Sequence, residues 1–179
     1  GTPDGYSTQF PEREMQIRDL LTHTSGPTFG FMNRHPVDAL YRRQGVERDG
    51  SIDVREMVDK LAELPLVFSP GTKWSYSVAT DICGHLCEVM SGRPLDVFLA
   101  ERVFEPLGMV DTGFFVPPDK AHRLAANYAF TKDDPLALFD APASSTYLKK
   151  PTFLSGGGGL VSTASDYLQF ALMLANRGE

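Results

Sequence analysis

Proline and glycine cut this chain into short pieces, and that punctuation limits what it can fold into. The run Ala79 to Met90 keeps helical apolar spacing for about three turns and is stopped by Gly92. Its spacing predicts a helix with Ile82, Cys83, Leu86, Val89 and Met90 on a broad apolar face. Gly84 inside it lowers helix propensity by about 1 kcal/mol relative to Ala, which points to close approach of another element. The residues feeding this helix are Phe68-Ser-Pro-Gly-Thr-Lys-Trp-Ser-Tyr-Ser-Val78. They hold a turn at Ser69-Pro70-Gly71, the only tryptophan, Trp74, and Tyr76. A tyrosine on a loop fixed by Pro and Gly, at the mouth of a helix, either packs with its hydroxyl satisfied or offers that hydroxyl to a cleft.

The other segments are shorter. Glu12 to Leu21 suits a helix with Met15, Ile17, Leu20 and Leu21 inward, opened by Pro11. Thr22-His-Thr-Ser-Gly26 ends it, and His23 is expected to tie its loop down by side-chain hydrogen bonds. Phe29-Gly-Phe31 reads as a loop, and Glu47-Arg-Asp-Gly50 as a polar surface loop. Helices are expected from Pro36 to about Gln44, from Asp53 to Leu64, and from Pro94 to just before Pro106. Asp53 with Glu56 makes a capping-box-like start. Asn127 to Phe130 and Thr146 to Phe153 are expected to pair as strands. Ser162 or Thr163 caps a last helix to about Asn176, with Tyr167, Phe170, Ala171 and Leu174 as its core face. The four glycines Gly156–Gly159 are not a phosphate loop, since no Gly-Lys-Ser/Thr follows. The expected fold is therefore mainly helical with a little strand, and residues 1–179 read as a single domain.

Composition excludes several classes. The net charge is −6 and no Lys/Arg block stands out, which argues against nucleic acid. No apolar run reaches the length of a membrane span. Cys83 and Cys87 lie one turn apart on a predicted helix, where side chains run parallel and suit a disulfide poorly. His85 falls on another face, so no metal site and no cofactor is expected; small buried hydrophobes is the reading of both cysteines.

Four stretches occur in order: Ile17-Arg-Asp-Leu-Leu-Thr-His-Thr-Ser-Gly26, Phe68-Ser-Pro-Gly-Thr-Lys-Trp-Ser-Tyr-Ser77, Pro106-Leu-Gly-Met-Val-Asp-Thr-Gly-Phe114 and Gly157-Gly-Gly-Leu-Val-Ser-Thr-Ala-Ser-Asp-Tyr167. Together they resemble the class C β-lactamase-like serine hydrolases, which include penicillin-binding proteins and family VIII carboxylesterases. The resemblance implies the helical region of an α+β β-lactamase/transpeptidase-like fold, lacking most of the central sheet. It implies an acyl-transfer enzyme in which a Ser-x-x-Lys serine is the nucleophile and a loop tyrosine helps move its proton. Tyr76 matches that tyrosine by position and context.

The departures are as informative. No Ser-x-x-Lys and no Lys-Ser/Thr-Gly occurs; Thr146-Tyr-Leu-Lys149 has only the spacing. The chain also lacks an initiator Met and stops just after a predicted helix, so it reads as an internal fragment, inert alone, of a larger hydrolase. Val78 stands where the β-lactamase loop carries Asn, and valine has no donor or acceptor for a substrate amide. An ester has no amide N–H to pair, so Val78 points to ester substrates. Phe29, Phe31 and Trp74, with Val78, are the expected substrate-binding residues. A β-lactamase or D-amino-acid peptidase is the alternative parent, with a β-lactam-like substrate. A complete non-catalytic helical interaction module is the alternative of another class. Surface left bare by an absent sheet makes a homodimer an expected partner state.

Overall fold

The computed structural model describes residues 5–46 and 51–178, so the loop expected at Glu47–Gly50 lies outside the described residues. Among the described residues the chain is mainly helical with one two-stranded sheet, in line with the mainly helical fold with a little strand that the sequence predicts. It divides into two compact units. One runs up to Phe98 and takes in Thr152–Gly158; the other is Leu99–Pro151 with the residues from Gly159 onward.

The first unit holds helices α1 (Ile17–Leu21), α2 (Pro36–Arg43), α3 (Val54–Ala62) and α4 (Ala79–Ser91). Its core joins Phe29, Val37, Tyr41, Val46, Ile52, Val54, Met57, Val78 and Phe153. Local chemistry sets the helix ends. Asp53 accepts the Glu56 N–H at 2.8 Å and starts α3. Gly92 ends α4 with φ +68°, a left-handed position that glycine takes without strain. Gly84 does admit a neighbour: a Cβ there would lie 2.9 Å from the Gly156 Cα. Gly156 is tighter still, since its Cβ would lie 2.2 Å from the Thr80 carbonyl oxygen. The glycine run thus serves close backbone packing on α4.

The first helix is shorter than its periodicity predicts. The Arg13 guanidinium grips both oxygens of Asp19, at 2.7 and 2.8 Å, and the Gln16 N–H donates to the same carboxylate at 2.8 Å. That clasp holds Gln16 extended, so helix begins only at Ile17. Leu20 is buried, while Met15, Ile17 and Leu21, expected inward, are exposed. Val89 and Met90 of α4 are likewise exposed rather than core. Cys83 and Cys87 are free thiols and half-buried rather than fully buried; burial, then the neighbouring Cys87, pushes the Cys83 thiol up.

Helix α5 (Leu95–Leu99) spans the division of the chain and runs into a π-helical turn at Ala100–Phe104. The second unit carries strands β1 (Asn127–Ala129) and β2 (Ala137–Asp140), and helix α6 (Ala164–Ala175), capped by Thr163. The strands pair antiparallel, Tyr128 opposite Leu138 and Ala129 opposite Ala137. The predicted partner, Thr146 to Phe153, is not the strand. The Asp133-Asp134-Pro135 turn closes locally, with the Thr131 N–H on the Asp134 carbonyl at 3.0 Å, and delivers Ala137–Asp140 to β1 first. Ser145 instead caps a 3₁₀ turn at Thr146–Leu148. Asp166 is buried and accepts the Asp111 N–H at 2.7 Å and the Thr112 hydroxyl at 2.8 Å. Asp111 pairs in turn with Lys120 and Arg123, which hold its carboxyl below the usual range. The face expected to bury α6 stays open, with Tyr167 and Leu174 both exposed.

Two outcomes follow from this packing. Gly156→Ala should destabilise the protein by about 1–3 kcal/mol, because the added methyl meets backbone rather than a movable side chain; urea unfolding measures it. The Arg13 guanidinium is the main cause that lowers the Asp19 carboxyl from 3.8 to about 2. Its stabilisation is complete above the ordinary value and is lost as pH falls through about 2. Thermal midpoints between pH 5 and pH 2 (about one unit beyond the unfolded value down to the folded one) should fall for the parent sequence. Asp19→Asn should flatten that part of the profile.

Candidate active site

Two loops build the site, Thr22–Phe29 and Leu66–Val78, both in the first unit. Neither has a sheet partner, so their backbone groups pair with each other. The Val67 N–H donates to the Gly26 carbonyl at 2.8 Å, Gly71 to Thr24 at 2.8 Å, Ser75 to His23 at 2.9 Å and Val78 to Thr28 at 3.4 Å. Gly26 is required at the crossing. Its φ is +98°, and a Cβ there would lie 2.6 Å from the Phe68 carbonyl oxygen. The residues that make the first two sequence signatures recognisable are therefore the residues that clamp these loops.

Buried aspartates brace the clamp from both sides. Asp38 takes the Thr28 hydroxyl at 2.8 Å on one oxygen and the N–H groups of Arg34 and His35, at 2.7 and 3.0 Å, on the other. Tyr41 accepts the Thr28 N–H at 3.4 Å, and burial pushes its phenol up to about 12, so it stays a neutral structural group. Asp81, in the first turn of α4, accepts the Ser155 hydroxyl and the Gly157 N–H. That carboxylate fixes the start of α4, directly after Tyr76, against the glycine run.

On this frame stands a row of rings. Trp74 meets His23 edge-on at 6.1 Å, and His23 meets Tyr76 at 5.0 Å. Tyr76 meets Phe29 at 5.4 Å, and Phe29 stacks on Phe31 at 4.9 Å. Trp74, Tyr76 and Phe31 are 68%, 44% and 60% exposed, whereas Phe29 belongs to the core. Four of the five residues expected at the site thus sit together. The fifth, Val78, does not face outward: it is 2% exposed and packs in the core cluster. Strict alternation would put Val78 on the same side as Trp74 and Tyr76, but the backbone leaves the extended form at Val78 (φ −64°, ψ 8°), the N-cap of α4, and its side chain goes into the core instead.

His23 is the residue that sequence reasoning misplaced. Its side chain ties nothing down; the backbone does, through its own carbonyl. Its Nδ1 is buried with no hydrogen-bond partner among the described residues. The Tyr76 hydroxyl also has none among the described residues. No cluster suited to a metal ion occurs among the described residues. No helix there is long and apolar enough to cross a membrane.

The sequence pattern of the Beta-lactamase family matches residues 6–179. The chain belongs to the β-lactamase family. An uncharacterized protein of Mycobacterium tuberculosis is 38% identical over 168 residues, covering 93% of this chain and 40% of that protein. Esterase EstB of Burkholderia gladioli is 32% identical over 171 residues, covering 86% of this chain and 42% of the esterase. Among solved structures, EstCE1, a hydrolase with promiscuous acyltransferase activity, superposes with a TM-score of 0.73 at 28% identity, covering 92% of this chain and 46% of EstCE1. The family resemblance read from the four signatures is borne out. The chain spans about two-fifths of the length of these curated relatives. Its family includes esterase and acyltransferase homologues on the β-lactamase fold.

Proposed function

We propose that this chain is part of a serine hydrolase that cleaves carboxylic esters through an acyl-serine intermediate. The nucleophilic serine and its lysine belong to a Ser-x-x-Lys that this chain does not contain. Tyr76 relays the proton: as the serine oxygen attacks the ester carbonyl, the phenol oxygen accepts the serine proton while its own O–H proton passes on to the departing alcohol, so the phenol stays neutral. Water then attacks the acyl-serine, and its proton follows the same route. Phe31 and Trp74, exposed at the two ends of the row of ring contacts that includes Tyr76, offer apolar surface for the acyl and alcohol groups.

One observation carries this reading. The phenol of Tyr76 is exposed, ringed by aromatic faces and uncommitted to any hydrogen bond among the described residues, while position 78 is a buried valine. Position 78 therefore offers no side-chain amide to pair with a substrate N–H, which favours esters over β-lactams. The similarity to EstB and EstCE1 supports the same class.

In the full-length protein, a short-chain p-nitrophenyl ester should turn over while nitrocefin does not. Tyr76→Phe should lower ester kcat by about 10²-fold or more, the scale of a lost proton-transfer group. This chain alone should release no p-nitrophenol. Efficient nitrocefin hydrolysis would move the parent to the β-lactamase class. Ester turnover untouched by Tyr76→Phe would remove the tyrosine from the chemistry.

A further inference from the structure

The Tyr76 hydroxyl is held by no hydrogen bond among the described residues, so the direction of the phenol is set by the rings that touch its ring. Those rings are Phe29 on one side and His23 on the other, at 5.4 and 5.0 Å, and both come from the opposing loop. Phe29 is a core residue, fixed by its burial. His23 is fixed differently. Its N–H donates to the Leu20 carbonyl at 3.2 Å and its carbonyl accepts the Ser75 N–H at 2.9 Å. Its backbone is left-handed, at φ +55°, a region few non-glycine residues adopt. This conformation aims the imidazole between Trp74 and Tyr76, side chains two apart on the facing loop.

The choice of residue costs something. Nδ1 is sealed from solvent without a partner among the described residues, a penalty that a hydrocarbon ring would not incur. A phenylalanine, however, tolerates the left-handed backbone poorly, whereas histidine is among the residues enriched there. Histidine combines the two requirements, a flat ring and tolerance of positive φ.

We propose that His23 is a positioning residue for Tyr76: its imidazole, tilted 44° against the phenol ring at 5.0 Å, fixes the orientation of the phenol through which the proton is moved. The inference rests on the role of Tyr76 proposed above. It requires that the ring matters, and not merely the backbone shape that histidine permits.

Two substitutions separate ring from backbone. His23→Asn keeps a residue suited to positive φ and removes the ring. His23→Phe keeps a ring and strains the backbone. In the full-length protein, His23→Asn should fold with a near-parental thermal midpoint, lower ester kcat about tenfold or more, and leave KM within about threefold. His23→Phe should lower the thermal midpoint and yet keep most of kcat. On a Tyr76→Phe background, His23→Asn should produce no further loss. A purely structural histidine gives the reverse order, with Asn active and Phe impaired. Parental kcat in His23→Asn, with Tyr76→Phe dead, overturns this proposal alone. A loss that adds to that of Tyr76→Phe overturns it as well. Full turnover by Tyr76→Phe overturns both the role of Tyr76 and this inference. Should His23→Asn fail to fold, His23→Gly, which also suits the left-handed backbone, takes its place under the same criteria.

Discussion

Everything at the candidate site depends on two irregular loops satisfying each other's backbone. Peptide groups taken out of water need partners, and neither Thr22–Phe29 nor Leu66–Val78 belongs to a helix or a sheet over most of its length. Four hydrogen bonds between them replace that regular structure. The positions are exacting. Gly26 must lack a side chain where the Phe68 carbonyl crosses it, and Gly71 must leave room for the Arg13 guanidinium. A loop pair clamped this way can present side chains nearly as rigidly as a sheet edge. That is why ring contacts at 5 to 6 Å can carry orientation here.

Buried carboxylates do the same work within each unit. Asp19, Asp38, Asp81 and Asp166 are all nearly or wholly inaccessible. Each accepts donors from a segment that has no regular partner: Arg13 and Gln16, Thr28 with Arg34 and His35, Ser155 with Gly157, and Asp111 with Thr112. An ionised carboxylate offers about four acceptor sites, more than any neutral side chain, so one aspartate can organise a whole turn. Charge is the cost, and the Asp19 pair shows how it is met, by a two-pronged guanidinium at bonding distance.

What was legible beforehand was mostly local. Asp53, Thr163 and Gly92 act as helix ends because capping is chemistry among neighbours in sequence. The four signatures were legible because they carry the clamp glycines and Asp19 and Asp166, residues that few substitutes can replace. Exposure was not legible. Periodicity says that Val89, Met90, Tyr167 and Leu174 share faces with other apolar residues, but not whether anything covers those faces. The partner of β1 was missed because a local turn closed before the distant segment could compete. His23 was misread because its ring meets Trp74 and Tyr76 across loops, and sequence spacing does not encode such contacts.

In the role proposed for Tyr76, a hydroxyl that moves a proton is best left unengaged by its own fold. If the Tyr76 oxygen were bonded to the backbone or a carboxylate, that bond would have to break, or bend, each time the proton crossed. Holding the ring through tilted ring contacts avoids this conflict. Aromatic contacts fix a plane and leave both the O–H and the oxygen lone pairs free for a nucleophile and a leaving group. The burial of Val78 belongs to the same logic. A polar side chain exposed two residues away could compete for the phenol; a valine turned into the core cannot. The site is thus specified as much by the groups it withholds from Tyr76 as by those it places around it.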